Sequence, residues 1–382
     1  MSAEWRHPRV LGTRVALSIL AAAAAPCVTG GAARLAAQAA RPGGGGVPWT
    51  FRWGVQRPDL VRYNRVEGLS VGARAQLRLP SRVGPISVSA TARLGSADRD
   101  PDTRLELVRE TLGSRLTLAG YRELAAVDVR GRYLGVGASL ASLLFGRDDG
   151  EYFRRTGVAF DVGPPSSVWR SFLVRLYAER HRAASRNADF NVTRLLGGGA
   201  RFRPVVVAER GREAGVLAVL HPRRGDDPSR PRVDLEVRTR AAVGTWSYLR
   251  LQVTGRATLP LAERWRVDLE AAGGASRGAL PAQRLWFLGG PFTLRGYAPA
   301  ALVGDAFVRG RAEIARTFAF GSVALLADGA WAGARGAVAP GDGLVAVGAA
   351  LRLVDGLIRL DLARGLVAPR GWRADAYLDV VR

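Results

Sequence analysis

The chain of 382 residues contains no lysine, one cysteine, one methionine and three histidines. All 56 basic residues are therefore arginines, set against 33 carboxylates for a formal charge of +23. A lone Cys27 leaves no disulfide framework and no thiolate metal site. His7 falls in the N-terminal targeting segment, and His181 and His221, beside Arg-rich strand ends, have no partner at metal-ligand spacing and read as surface residues. The nucleophile elbow G-x-S-x-G, the phosphate-cradling P-loop and H-E-x-x-H are all missing. Nothing here points to an enzyme, and no cofactor or metal is implied. Beyond the N-terminus no apolar run reaches the roughly 20 residues a membrane helix needs. An arginine surplus raises nucleic acid as a partner. The arginines are spread evenly, however, and no nucleic-acid motif accompanies them, so arginine written in place of lysine accounts for the charge.

What is present begins with a targeting pattern. Arg6, Arg9 and Arg14 precede the apolar run Val15 to Ala25, which is too short to span a bilayer. Ala37-Gln38-Ala39 then offers the A-x-A cleavage pattern. The expectation is a signal peptide over 1–39, removed together with Cys27. A short lead over 40–61 and a single domain over 62–382 follow. The polypeptide reads as exported.

The domain is dominated by alternation. In Arg232 to Arg240 the even-numbered positions are all charged, and the odd ones carry valine, leucine and threonine. Val71, Ala73, Ala75, Leu77 and Leu79 alternate with Gly72, Arg74, Gln76 and Arg78. Leu249, Leu251 and Val253 alternate with Arg250, Gln252 and Thr254. Ile358, Leu360 and Leu362 alternate with Arg359 and Asp361. Period-two patterning makes strands with one dry and one wet face. Many of these strands run to about ten residues, the length a tilted strand needs to cross a membrane. A soluble sandwich would have shorter strands and a more aromatic inner face; here the dry faces are mostly Ala, Val and Leu. Counting predicts about sixteen strands, an even number as bacterial barrels require. About eleven precede residue 285, the first near 66–79 and the eleventh near 264–276, and about five follow. Leu134 to Phe145 reads equally as strand or as a short helix in a loop. Short turns at 318–321 and 354–356 bracket a long Gly-rich segment over 331–342, the outer-membrane habit of short periplasmic turns and long external loops.

One stretch breaks the alternation: Leu285-Trp286-Phe287-Leu288-Gly289-Gly290-Pro291-Phe292-Thr293-Leu294-Arg295-Gly296-Tyr297. Gly289-Gly290-Pro291 forces a turn. Gly296 lets the backbone pass close to something, with Arg295 and Tyr297 on either side. A segment this apolar, carrying one cation, is costly as a free surface loop and belongs inside a larger structure, its guanidinium meeting a carboxylate.

Gly289 to Tyr297 resembles the signature loop of the bacterial surface antigen superfamily, the BamA/TamA type of outer-membrane assembly barrel. Arg62 to Leu69 is similar to that family's first barrel strand, and Ala324 to Ala330 and Val347 to Leu353 to its later strands. The resemblance implies an all-β transmembrane antiparallel barrel with a loop, around 285–304, inserted in the lumen. It implies that Gly289, Gly290, Leu294, Arg295, Gly296 and Tyr297 form the loop motif. It also implies a loop-anchoring carboxylate for Arg295, with Asp328 first and Glu313 second. The implied location is the outer membrane, in contact with lipid and lipopolysaccharide. The implied function is insertion or translocation of proteins there, with client outer-membrane proteins or a separate periplasmic POTRA-type partner. Relatives with that activity carry POTRA modules before the barrel, and no such modules are read in this chain. The alternative is a stand-alone channel or structural barrel with no client-handling activity. Where such barrels usually end on an aromatic residue, Tyr377 is the aromatic residue closest to the end of the sequence.

Overall fold

The computed structural model describes residues 49–378 apart from 80–83, 129–130, 170, 199–200, 226, 228–229, 338–341 and 355. The expected signal peptide, His7 and Cys27 lie outside the described residues, as does Asp355 of the expected 354–356 turn. The first strands are β1 (Trp49–Trp53), β2 (Val61–Asn64), β3 (Gly68–Leu79), β4 (Ile86–Gly95), β5 (Asp102–Glu110) and β6 (Arg115–Ala126). Helix α1 (Val136–Phe145) interrupts them before β7 (Tyr152–Gly163) and β8 (Phe172–Ala183). After the single-turn α2 (Val192–Leu195) come β9 (Gly211–Leu220), β10 (Arg223–Arg224), β11 (Arg232–Gly244), β12 (Tyr248–Ala262) and β13 (Trp265–Gly278). The short β14 (Trp286–Leu288) and β15 (Leu302–Gly304) pair only with each other. The wall resumes with β16 (Ala306–Phe318), β17 (Gly321–Gly333), β18 (Leu344–Leu353), β19 (Ile358–Gly365) and β20 (Gly371–Leu378).

Every named ladder is antiparallel, and from β3 onward sequence neighbours pair except where β9 pairs with β11 and β13 with β16. β1 and β2 lie end to end along one edge of β3, and β10 continues β9 along β11. Counting each of those two couples once reduces the 18-stranded sheet to sixteen staves, eleven before β14 and five after β15. The totals agree with the count from alternation, but its starting point does not. The stave expected first, near 66–79, is second, because residues 49–64, partly assigned to the lead, form the first. Arg62 to Leu69 is not one strand but a hairpin. The Asn64 side-chain oxygen accepts the N–H groups of Val66 and Glu67 at 2.9 and 2.9 Å, closing an Asx turn that outcompetes extension. The 134–145 ambiguity resolves as α1.

Burial runs inside out relative to a soluble protein. On β19, Arg359 and Asp361 are buried while Ile358, Leu360 and Leu362 are exposed. On β17, Asp328 is buried and Leu325 is 66% exposed. A wall that turns its leucines outward and its charges inward suits hydrocarbon outside and hydrated, ion-paired polar groups within. No described helix is long and apolar enough to cross a membrane. The chain folds as an all-β transmembrane antiparallel barrel.

Candidate functional site

Between β13 and β16 the chain leaves the wall and crosses the lumen as a strap. Its entry is apolar: Trp286, Leu288, Leu294 and Tyr297 are buried in one cluster with Phe307 of β16 and the small residues Ala330 and Ala346 of the wall. Alanines on the inner faces of β16 to β19 keep that side shallow enough for a chain to lie against it. Gly289 and Gly290 adopt φ of +128° and +80°, and the turn closes through Leu294 N–H to Gly290 O at 3.1 Å and Gly290 N–H to Tyr297 O at 3.0 Å. The Thr293 hydroxyl bridges the Gly289 N–H and carbonyl, each at 2.7 Å.

Arg295 leaves this turn fully buried. Its backbone N–H and its Nε donate to Asp328 Oδ2 at 3.0 and 2.7 Å, and Nη2 donates to Asp328 Oδ1. Nη1 donates to Glu313 Oε1. The structure thus brings the loop arginine together with both candidate carboxylates. Glu313 is shared further, accepting from Arg359 Nη2 at 2.6 Å and from Arg352. Arg359 in turn holds Asp361 at 2.8 Å, and the Tyr377 hydroxyl of β20 donates to Asp361 at 2.7 Å. Arg295, outside the staves, has its pKa raised: burial opposes the charge, but the hydrogen bonds and charge of Asp328, with Glu313, outweigh it.

Next in the strap, Gly296 has a φ of +80°, and a Cβ there would come within 3.0 Å of the Gly365 nitrogen and 3.1 Å of Ala346 Cβ. Only glycine lets the backbone touch β18 and β19 at this point. Tyr297 then plants its hydroxyl 2.9 and 3.0 Å from the carbonyls of Val345 and Val367 and accepts the Val367 N–H at 3.0 Å. Three consecutive residues therefore span β17, β18 and β19. At the turn, Phe292 packs edge-on against Tyr133 and against Tyr377 of the last stave, at 5.6 and 5.2 Å between ring centres.

Those contacts lead to the seam. Among the described residues β20 pairs only with β19, and β1 and β2 pair only with β3. Side chains from α1 and the segment after it reach both. Ser139 Oγ accepts the Tyr63 N–H at 3.0 Å, and Asp148 accepts the Arg65 N–H at 2.8 Å. From the same segment Arg147 donates to Asp375 of β20 at 2.7 Å, and Asp149 accepts from Arg373 at 2.9 Å. Sequence reasoning missed this bridge. The signal was an acid pair, Asp148-Asp149, following Arg147 between Gly146 and Gly150 in an arginine-rich chain.

A second miss lies at the entry to the strap. His181, expected on the surface, is fully buried and hydrogen-bonded to Glu179 at 3.0 Å and to Gln283 at 3.2 Å. Alternation could not show it, because the residues covering it arrive from 283–284, far along the chain. Glu179, His181 and Glu213 stand close enough to hold an ion. The Arg284 guanidinium already lies among them, 2.6 Å from Glu213 and 3.4 Å from Glu179, so a cation of the chain itself balances the acids. His221 is half-buried, its ring tilted against that of Trp169 at 4.8 Å between centres.

No protein-family model and no curated protein matches the sequence. Among solved structures, the chain is similar to BamA from Haemophilus ducreyi lacking POTRA domains 1–3. The TM-score is 0.57 and identity 12%, over 86% of this chain and 69% of that one. CdiB from Acinetobacter baumannii matches at a TM-score of 0.48 and 13% identity, over 86% of this chain and 58% of that one. At 12% identity the first of these shows a shared fold.

Proposed function

We propose that this chain is an outer-membrane barrel of the BamA/TamA type, exported by its N-terminal segment, that takes part in inserting or translocating other proteins at that membrane. The observation carrying the proposal is the seam. First and last staves share no described backbone ladder and are bridged through α1 and the segment after it, by the ion pairs of Arg147 with Asp375 and of Arg373 with Asp149 and by the Ser139 and Asp148 hydrogen bonds. Such a join can part without unravelling the wall, which suits admission of a client strand to a free edge. The strap supports the same reading: Arg295 ties it to Asp328 of β17 and Glu313 of β16, and Glu313 passes the contact through Arg359 and Asp361 to Tyr377 of the last stave. Lipid and lipopolysaccharide would bathe the exposed leucines and valines, and client outer-membrane proteins would be the partners.

Depletion tests this directly. Other barrels should fall in abundance in the outer membrane as the protein is withdrawn, before growth slows. Unchanged levels of all of them would remove the client-handling role. A steady open conductance in planar bilayers would then support a stand-alone channel, a reading favoured by the arginine-lined cavity inside the wall.

A further inference from the structure

This wall sets arginines directly opposite each other on neighbouring staves in several places, among them three pairs: Arg154 with Arg182, Arg352 with Arg359, and Arg240 with Arg250. Like charges facing across an antiparallel ladder repel. In the first two pairs one carboxylate serves both cations. Asp100 pairs with Arg154 and Arg182, and Glu313 with Arg352 and Arg359. The third pair is built the same way and has no such acid. Arg240 comes no closer than 3.9 Å to Glu213, which is already bound by Arg284 at 2.6 Å and by the hydroxyls of Tyr177 and Tyr248 at 3.2 and 2.9 Å.

Arg250 is the more exceptional member. Among the described residues it forms no ion pair, and its Nε is buried without a hydrogen-bond partner. Its guanidinium lies over the Trp286 ring at 4.0 Å, which fixes the plane while leaving the in-plane donors unused. Both arginines line a cavity of about 550 Å³ between the strap and the wall, where eight arginines face three carboxylates, Glu123, Asp128 and Glu236. That volume falls within the range of small-ligand sites.

We propose that Arg240 and Arg250, with Trp286 behind them, form a lumenal site for a phosphate group, whose oxygens take the place that Asp100 and Glu313 fill in the other two pairs. Two guanidiniums without a shared counter-charge match the roughly −1.5 to −2 charge of a phosphate monoester better than a single carboxylate, and planar forks suit its oxygens. The group can arrive on a phosphorylated solute or on a lipid headgroup. The inference rests on the fold and not on the client-handling role.

The test uses the full-length protein, folded in detergent, with glucose 6-phosphate as the probe and calorimetry as the readout. Saturable binding is expected at low salt. Arg250→Gln should weaken it at least roughly tenfold, as expected for a lost charged hydrogen-bonding partner. Arg250→Lys, which keeps the charge but not the fork, should weaken it less. Potassium chloride at matched ionic strength should not mimic the probe. If Arg250→Gln fails to fold, Arg240→Gln provides the same comparison from the opposite stave. Binding of glucose 6-phosphate from solution identifies a solute site. Binding absent with that probe, but gained in bicelles containing phosphatidic acid, whose headgroup is a phosphate monoester, and lost in the variant, identifies a headgroup site. No binding of either kind, or binding unaltered by Arg250→Gln and Arg240→Gln, overturns the proposal.

Discussion

Truncating Arg295 removes the one side chain that ties the strap to two carboxylates at once, and the surroundings set the size of the loss. In Arg295→Ala, Asp328 keeps only Arg311, whose Nε is 3.6 Å away, while Glu313 keeps Arg359 at 2.6 Å and Arg352. Asp328 is therefore left close to bare and Glu313 is not. Breaking one partner of a buried pair costs about 3–5 kcal/mol, and most of that should be charged to Asp328. A double-mutant cycle separates the two acids. Arg295→Ala with Asp328→Asn should show a coupling of about 2–3 kcal/mol, near the upper end for contacting residues, and Arg295→Ala with Glu313→Gln clearly less. Urea unfolding in detergent micelles, followed by the mobility difference between folded and unfolded barrel on unheated gels, supplies the free energies. Effects for Arg295 and Asp328 that add within about 0.5 kcal/mol would show that the strap is held by its apolar packing and not by this pair.

Gly296→Ala combines an unfavourable left-handed φ with a Cβ 3.0 Å from the Gly365 nitrogen, and should cost about 1–3 kcal/mol in the same unfolding assay; a cost under about 0.5 would mean the strap has room to lift. Asp148→Asn leaves the buried Arg65 with Glu151 at 3.4 Å as its remaining carboxylate, and should increase opening events in single-barrel bilayer recordings without lowering expression. An unchanged record would separate the bridge from the gate. Glu67, in the turn between β2 and β3, is buried, which works to raise its pKa, but Arg62 and then Asn64 hold it below the ordinary 4.5. Because its folded value is depressed, its stabilisation is present above pH 4.5 and lost as pH falls through the depressed value. Amide exchange at Gly68 should accelerate in that window in the parent protein and stay flat in Glu67→Gln, where acceleration would implicate a different group.

The wall was legible because its physics is local. Leu360 faces out and Asp361 faces in on adjacent positions, so a period of two in the sequence is already a statement about solvent. The strap was legible from composition: three glycines, a proline and an arginine inside an apolar run fit no strand or helix. What alternation could not show depends on residues distant in the chain. Residues 49–53 alternate aromatic Trp49, Phe51 and Trp53 with polar Thr50 and Arg52, but the run is only five residues long and every position in it is exposed. Their membership in the wall follows from β3 offering an edge. Likewise the burial of His181 is set by Gln283 and Arg284, and the closure of the first hairpin by a single asparagine side chain.

The strap and the seam form one electrostatic system. Starting at Arg295, contacts run through Glu313 and Arg359 to Asp361 and end on Tyr377 of the last stave. Phe292 reaches the same tyrosine from the turn, and Arg147 and Asp149 hold the same stave from its other side. β20, eight residues long, is thus secured by backbone ladder on the β19 side and by side chains elsewhere. A ladder of that length would add several hydrogen bonds of about 0.5–1.5 kcal/mol each to the free edge; part-exposed ion pairs such as Arg147 with Asp375 add about 0–1 each. The free edge is therefore held by the weaker kind of bond, and the strap supplies the larger, buried part of the hold. Displacing the strap would withdraw Phe292 from Tyr377 and Arg295 from Glu313 together, so the energetics of the plug and of the seam cannot be separated in this fold.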